Sequence, residues 1–283
     1  MTANPKVKKD NRSLLAKYAA APHIVWAVLF IVAPLIFVAY YAFTDSSGAF
    51  SVSNLAEFFS PTYLKIFWRS VRLALISTVI CLILGYPIAY FISRTKPKTQ
   101  RLLILLIMLP MWMNFLIRTY AIMVLIQDTG IINTFLGNLG IAPIKILGTE
   151  AAVVLGMVYD YLPYMILPIY SVMAKLDYRL VEAAGDLGCN GFGVVRKVIF
   201  PLSLSGVISG ITMVFVPSIS TFYISQKLGG PNTLLIGDVI EQRYASSDYN
   251  MTAALSFVLM LILIVGLAIV NRYTDDDEGG MMP

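Results

Sequence analysis

Two ionisable residues of opposite charge lie inside long apolar segments of the sequence. Asp160 stands in an apolar run at 151–173, and Arg118 stands in another at 102–126. A charged side chain at the centre of a bilayer costs about 2.5–3.5 kcal/mol on insertion scales, so such residues are functional candidates by default. If the two runs cross the membrane in opposite directions, both residues lie at similar depths. They could then form a structural ion pair, or the carboxylate could serve a cation.

The residues near Asp160 are of types that suit a positively charged solute. An aromatic face attracts an ammonium group by about 0.5–2 kcal/mol, and a carboxylate adds the opposite charge, a combination that fits a polyamine. We predict that Trp112 faces Asp160 from the neighbouring run. The full predicted pathway consists of Asp160, Trp112, Tyr159, Tyr161, Tyr164, Asn114, Ser220, Thr221 and Tyr223. Its polar members could equally bond to neighbouring helices, and an Asp160–Arg118 structural pair remains the alternative.

Other kinds of site are not encoded in the sequence. One histidine, His23, and two cysteines in unrelated segments, Cys81 and Cys189, exclude zinc-type sites and disulfide frameworks. The glycine-rich stretch at 188–193 lacks the Gly-Lys-Ser/Thr of a phosphate loop, so any ATP is hydrolysed by another subunit. An intramembrane enzyme would need a His or carboxylate dyad. We therefore predict no catalytic residue, no metal and no cofactor in this chain.

The composition indicates that much of the chain lies in a lipid bilayer. Hydrophobic residues fill 58% of the 283 positions and charged residues only 13%, whereas about a quarter of an ordinary soluble domain is charged. Apolar runs of about 20 residues are long enough to cross a bilayer. Such runs predict an all-α polytopic membrane domain at 22–272, with six transmembrane helices at 22–43, 71–92, 102–126, 151–173, 202–224 and 251–270.

Lysine and arginine are distributed unevenly between the two sides of these spans. They concentrate before span one, between spans two and three, and between spans four and five. The positive-inside rule therefore predicts that both termini are cytoplasmic, with a basic segment at 1–21 and an acidic tail at 273–283. This orientation explains the net charge of +5 without nucleic acid as a partner.

The predicted cytoplasmic loop at 175–200, between spans four and five, contains a short amphipathic helix. Glu182 and Asp186 share one face, four residues apart, and Gly188 is placed to end the helix. Apolar residues recur at helical spacing at Leu180, Ala183, Ala184 and Leu187. A cytoplasmic helix of this kind has no core of its own, which is typical of docking into a groove on another protein.

The same loop resembles the EAA loop of ABC importer permeases, whose pattern is E-A-A-x3-G-x9-I-x-L-P. The matching positions are Glu182, Ala183, Ala184, Gly188 and Pro201, and the Ile and Leu of the pattern are replaced by Val198 and Phe200. Segments at 81–90, 109–120 and 228–237 are similar to the spermidine/putrescine branch of that family. Permeases for ferric iron, sulfate and other small solutes share parts of these segments.

The resemblance implies that the chain is not an enzyme but the pore subunit of an ATP-driven polyamine importer in a bacterial cytoplasmic (inner) membrane. The EAA residues would form the coupling helices that contact a nucleotide-binding subunit. The implied partners are a second homologous permease, two ATP-binding subunits that hold ATP and Mg, an extracytoplasmic substrate-binding protein and membrane lipid. The alternatives are an EAA permease for another small solute and a secondary transporter, which would leave the EAA-like loop unexplained.

Overall fold

The computed structural model describes residues 22–177, 179–231 and 233–279, and within these ranges the regular structure is helical apart from one isolated bridge between Thr44 and Phe50. The helices are α1 (Pro22–Ala42), α2 (Ser53–Phe58), α3 (Pro61–Ser93), α4 (Pro97–Trp112), α5 (Phe115–Ile126), α6 (Ile131–Asn138), α7 (Glu150–Met173), α8 (Arg179–Asp186), α9 (Gly191–Leu202), α10 (Leu204–Ser220), α11 (Tyr223–Leu228), α12 (Ile236–Ala245) and α13 (Tyr249–Gly279). The predicted segment 1–21 lies outside the described residues. The predicted tail at 273–283 is helical as far as Gly279, as the end of α13.

Five helical segments in the described part of the chain are long and apolar enough to cross a membrane. They are Pro22–Ala42, Pro61–Ser93, Phe115–Asn138, Glu150–Met173 and Tyr249–Val270. A sixth crossing results if α9 and α10, which meet at an angle of 70°, count as one bent span. The all-α polytopic architecture predicted from the apolar runs is therefore the one observed.

The predicted span at 102–126 is divided into two helices. Helix α4 ends at Trp112, Met113 is extended with ψ 149°, and α5 begins at Phe115. The side chain of Asn114 accepts a hydrogen bond from the backbone N–H of Leu116 at 2.8 Å, which caps the new helix. Two intervening residues hardly alter the mean hydropathy of a 25-residue window, so counting apolar residues cannot detect this break.

The predicted span at 202–224 is divided in the same way, because α10 ends at Ser220 and α11 begins at Tyr223. The carbonyl groups at this break lie against α12. A Cβ atom on Gly237 would come within 2.5 Å of the Thr221 carbonyl oxygen and 2.6 Å of that of Ser220. Only a residue without a side chain allows α12 to approach the break this closely.

The centre of the bundle is formed by α3, α7 and α10, which pack most extensively on one another. Glycines on α10 permit this packing. A Cβ atom on Gly206 would lie 2.9 Å from the carbonyl oxygen of Pro168 and 3.0 Å from the Cα atom of Ile169, both backbone atoms of α7. Small residues allow helices to approach closely in membranes, where burial of apolar surface does not drive association.

Helix α1 stands at the edge of the bundle. Its C-terminal residue Ala42 packs with Ala253 and Ala254 of α13. The remainder of α1 exposes large apolar side chains, such as Trp26 and Phe30, which are 53% and 66% exposed. A face of this composition is compatible with lipid or with another membrane subunit.

Candidate functional site

The charged residues of the predicted spans form a buried pair between α5 and α7. Arg118 Nε lies 3.3 Å from Asp160 Oδ1, and the two side chains are only 7% and 0% exposed. Neither carboxylate oxygen accepts a hydrogen bond from a described residue, and Nε and Nη1 of Arg118 donate none. The pair therefore depends on direct attraction of the charges, without the hydrogen bonds that usually offset the burial of an ion pair.

The aromatic residues predicted around Asp160 are distributed over several environments. Tyr161 is half-buried, with its hydroxyl 3.5 Å from the carbonyl oxygen of Pro217 on α10, and its ring centroid is 6.4 Å from that of Tyr164. Tyr159 and Tyr164 are 46% and 37% exposed, so they contribute to the outer surface of the chain. Among these tyrosines, Tyr161 lies nearest to the interior contact between α7 and α10.

Trp112 lies at the helix break and is exposed in this chain. It is the last residue of α4 and is 70% exposed, whereas Asp160 is fully buried. Because the helix breaks after Trp112, Trp112 and Arg118 belong to two different helices, and Arg118 of α5 is the one that contacts the Asp160 carboxylate. The prediction that Trp112 faces Asp160 assumed one continuous span, and it stays a prediction.

The predicted polar residues occupy the two helix breaks. Asn114 caps α5, and Ser220 donates hydrogen bonds to the carbonyl oxygens of Val216 and Pro217 in its own helix. Thr221 is buried at the break between α10 and α11, where its carbonyl group lies against α12. Asn114 and Ser220 therefore bond within their own helices in this structure, and not to a neighbouring helix as the alternative interpretation from the sequence had it.

Tyr223 belongs to a cluster of cations and aromatic rings that the sequence prediction recognised only in part. Lys227 Nζ lies 5.5 Å from the ring centroid of Tyr120 and 5.6 Å from that of Tyr223. The ring of Phe115 lies 5.9 Å from that of Tyr223, and the guanidinium of Arg118 lies 5.9 Å from the Phe115 ring. The cluster thus extends from α11 to the Arg118–Asp160 pair.

The sequence contains a signal for only one half of this cluster. Tyr223 and Lys227 are four residues apart, which places them on one helix face. Tyr120 is contributed by α5, a separate segment more than 100 residues earlier, so its contact with Lys227 follows from tertiary packing. Phe115 joins the cluster because α5 and α11 pack together.

A second buried carboxylate, Asp238, holds the segment between α11 and α12. Its Oδ2 accepts the N–H of Leu235 at 2.7 Å and its Oδ1 accepts the hydroxyl of Ser225 at 2.9 Å, while the hydroxyl of Ser70 on α3 accepts the N–H of Ile236. Burial raises the pKa of Asp238 to about 6, although both hydrogen bonds act in the opposite direction. These contacts fix α11, and with it Tyr223 and Lys227, relative to α3.

The predicted amphipathic helix of the loop at 175–200 is present as α8. Ala184 is buried at 8% exposure in the cluster formed with α3 and α7, whereas Glu182 and Ala183 are exposed. Leu187 and Phe192 are 86% and 75% exposed, so the loop presents apolar side chains that lack a partner in this chain's described residues. Pro201 is exposed in the last turn of α9.

Gly188 ends α8 in a conformation that favours glycine. Its φ is +84°, and its N–H donates to the carbonyl oxygen of Gly185 at 2.9 Å. The N–H of Cys189 donates to the carbonyl oxygen of Ala184 at 3.0 Å. These two bonds form a Schellman motif, which sets the direction in which the chain leaves α8 toward α9.

Comparison with known proteins identifies the family. The family described as "Binding-protein-dependent transport system inner membrane component" matches residues 19–275. The chain belongs to this family. Its members are inner-membrane components, which confirms the predicted multi-pass localisation and the prediction that the chain is a permease rather than an enzyme.

Individual relatives extend over most of the chain. The spermidine/putrescine transport system permease protein PotB of Haemophilus influenzae is 41% identical over 251 residues, which cover 84% of this chain and 88% of that protein. PotB of Escherichia coli K12 is 36% identical over 256 residues, covering 87% and 93%. The predicted resemblance to the spermidine/putrescine branch is thereby confirmed.

Solved structures support the fold. A bacterial alginate ABC transporter in complex with alginate pentasaccharide-bound periplasmic protein has a chain that superposes with a TM-score of 0.79 at 14% identity, covering 93% of this chain and 94% of that one. The MetNI methionine ABC transporter gives a TM-score of 0.52 at 16% identity, covering 74% and 94%. At these identities the likeness concerns the fold alone.

Proposed function

We propose that this chain is a permease subunit of an ATP-driven importer of spermidine or putrescine. The observation that carries the proposal is the 36–41% identity with PotB proteins over more than four fifths of the chain. The buried carboxylate and the aromatic cluster beside it are compatible with a solute that carries several ammonium groups.

The proposed pathway runs along α5, α7 and α11. A polyamine ammonium would meet the aromatic rings near Tyr223, pass Phe115, and reach Asp160, whose carboxylate would exchange Arg118 for the substrate cation. Tyr161 adds an aromatic surface at the α7–α10 contact. Weak binding suits this role, because a transported solute has to leave each position as readily as it enters.

The proposed coupling element is α8 with its flanking residues. Glu182 and Ala183 are exposed for contact with a partner, and Ala184 anchors the helix to the bundle. Gly188 lies in the turn from α8 to α9, and Pro201 lies in the last turn of α9, just before the bend into α10. A movement of the ATP-binding subunit against α8 would thus reach α10 through a short and bent connection.

The proposed assembly contains a second homologous permease, two ATP-binding subunits and an extracytoplasmic substrate-binding protein. In this arrangement both termini and α8 face the cytoplasm, as the distribution of Lys and Arg predicts. ATP and Mg would be bound by the ATP-binding subunits. The exposed apolar residues of α1 and α13 would face lipid or the second permease.

Solute uptake distinguishes polyamines from the alternative solutes of related permeases. A strain that lacks its own polyamine importers would express the complete complex, and uptake of radiolabelled spermidine, putrescine, sulfate and ferric iron would be measured separately. We expect saturable uptake of a polyamine that unlabelled polyamines suppress and sulfate does not. Uptake of sulfate or ferric iron in place of polyamine would reassign the substrate, and uptake that persists without the ATP-binding subunit would indicate a secondary transporter.

A further inference from the structure

The ammonium group of Lys227 is held between two tyrosine rings. Its Nζ is almost equidistant from the ring centroids of Tyr120 and Tyr223, at 5.5 and 5.6 Å. The two rings meet edge-on, with centroids 6.3 Å apart and an interplanar angle of 70°. They form two walls of an aromatic cage, an arrangement that proteins use to recognise alkylammonium ligands.

The cage is positioned by fixed elements yet remains accessible. Helix α11 is anchored to α7, where Ile224 and Leu228 pack over Gly156, and the N–H of Gly148 donates to the carbonyl oxygen of Leu228 at 2.8 Å. Tyr120 is 44% exposed, and the side chains of Tyr223 and Lys227 are half-buried. A solute therefore has access to the rings without local unfolding.

Lys227 has no carboxylate partner among the described residues, so the rings are its principal stabilising contact in this structure. Aromatic contacts of this kind contribute about 0.5–2 kcal/mol, a modest amount that a competing cation can match. The lysine side chain is also a four-carbon stem with a terminal ammonium, which has the same chemistry as an aminobutyl end of a polyamine.

We propose that Tyr120 and Tyr223 form an ammonium-binding station, that Lys227 occupies it in the substrate-free chain, and that a primary ammonium of the substrate displaces Lys227. The proposal rests on the proposed polyamine transport function and assigns two residues, Tyr120 and Lys227, to it. Lys227 acts as a resident competitor that weakens binding at this station. The Phe115 ring lies between the ring of Tyr223 and the guanidinium of Arg118. A substrate ammonium that leaves the station could therefore pass along Phe115 to the Arg118–Asp160 pair.

Equilibrium binding of radiolabelled spermidine to the purified permease–ATPase complex, without the binding protein, tests the displacement. Lys227→Met keeps the stem and removes the ammonium, so the dissociation constant should fall by about 2–30-fold, the range that corresponds to the aromatic contact energy. Lys145→Met is the matched control, because it removes the same charge from an exposed lysine with no aromatic contact in the described structure. It should change the dissociation constant much less.

The aromatic walls are tested by two further variants. Tyr120→Phe keeps a ring and should retain spermidine binding, whereas Tyr120→Leu removes a wall and should weaken it. In the Tyr120→Leu background, Lys227→Met should tighten binding less than it does in the parent, because one of the two rings that Lys227 contacts is gone. The amount of assembled complex recovered for each variant shows whether the fold is intact, and the comparison of Lys227→Met with Lys145→Met provides the test if Tyr120→Leu fails to assemble.

Four results would contradict the proposed ammonium-binding station. They are an unchanged dissociation constant in Lys227→Met, equal tightening in Lys145→Met, loss of binding in Tyr120→Phe, or tightening by Lys227→Met that is undiminished in the Tyr120→Leu background. If the parent complex imports spermidine and these results are obtained, the station fails while the proposed function stands. If the parent complex neither binds nor imports a polyamine, both proposals fail together.

Discussion

At the scale of single residues, the proposed substrate pathway depends on the buried Arg118–Asp160 pair. Among the residues that the structure describes, the two buried charges have no further hydrogen bonds, so each is the other's partner. Removal of one member of such a pair leaves an uncompensated buried charge, at a cost of about 3–5 kcal/mol. A substrate ammonium that replaced Arg118 beside the carboxylate would keep Asp160 compensated.

Substitution of the pair separates transport from folding. Asp160→Asn should lower polyamine uptake about tenfold or more, equivalent to about 1.4 kcal/mol, after correction for the amount of protein in the membrane. Arg118→Leu should lower uptake less, because the carboxylate that meets the cation is retained. Both single variants should be less abundant than the parent, and the double variant Asp160→Asn/Arg118→Leu should recover abundance but not uptake.

A carboxylate outside the buried pair provides the control. Glu150 lies at the start of α7, where it pairs with Arg72 at 2.6 Å, and both side chains are substantially exposed. Exposed pairs contribute about 0–1 kcal/mol, so Glu150→Gln should leave abundance and uptake close to the parent values. Recovery of uptake in the Asp160/Arg118 double variant would show that the pair is structural and would remove Asp160 from the pathway.

Sequence reasoning identified some of these residues and missed others for physical reasons. The cost of a charge in an apolar run is a property of the sequence, so the sequence alone is sufficient to select Asp160 and Arg118. The orientation of Trp112 depends on a helix break, and the contact of Tyr120 with Lys227 depends on the packing of α5 against α11. Neither is contained in a hydropathy pattern.

At the scale of secondary structure elements, the exit from α8 depends on Gly188. A β-branched residue at φ +84° is strongly disfavoured, so Gly188→Val should disturb the connection between α8 and α9. We expect ATP hydrolysis to become uncoupled from uptake, or the ATP-binding subunit to be lost from the purified complex, while the membrane domain remains folded. Glu182→Lys, which reverses the charge of the exposed face, should have the same effect.

The control for the coupling variant is a nearby glycine without the special backbone conformation. Gly191 has open space around its Cα atom, and its φ is not positive, so Gly191→Val should retain coupling. The measurements are the ATPase activity and the spermidine uptake of the same preparation, together with the stoichiometry of the ATP-binding subunit. Normal coupling in both Gly188→Val and Glu182→Lys would contradict the assignment of the EAA loop.

The packing of α10 against α7 gives a prediction on stability. Gly206→Ala places a methyl group 2.9–3.0 Å from backbone atoms of α7, which cannot move aside as a flexible side chain can. Overpacking of this kind costs about 1–3 kcal/mol, so the thermal unfolding temperature of the detergent-solubilised complex should fall. Gly266→Ala on α13, where the added Cβ meets nothing within 4 Å, should leave it unchanged or slightly higher. Equal behaviour of the two variants would contradict the close α7–α10 contact.

The bounds of a helix could be predicted from the sequence where they coincide with the ends of an apolar run. They could not be predicted as well where backbone hydrogen bonding extends the helix beyond that run. The run at 151–173 coincides almost completely with α7, because no capping residue or break interrupts it. In contrast, α3 begins at Pro61, ten residues before the predicted span, since its first turns contain Lys65 and Arg69 and precede the apolar run. A hydropathy window finds the apolar part of a helix that fits the thickness of the membrane, and it does not give the full length of the helix.

At the scale of the whole molecule, we propose that the chain contributes the loop around α8 for docking and one side of the substrate pathway. The ABC cycle proposed here requires two ATP-binding subunits that close on each other, so a second permease has to supply the other half of the pore. Expression of this chain with the ATP-binding subunit and the binding protein, but without the second permease, should give no polyamine uptake above background. Normal uptake under these conditions would mean that two copies of this chain form the pore.

The most direct test of the account is reconstitution of the complete complex in proteoliposomes. ATP is enclosed in the lumen, and the binding protein is added outside with radiolabelled spermidine or with sulfate as the comparison solute. We predict spermidine accumulation that requires both lumenal ATP and the binding protein, and no accumulation of sulfate. Accumulation of sulfate instead of spermidine, or spermidine accumulation without ATP, would contradict the assignment of this chain to an ATP-driven polyamine importer.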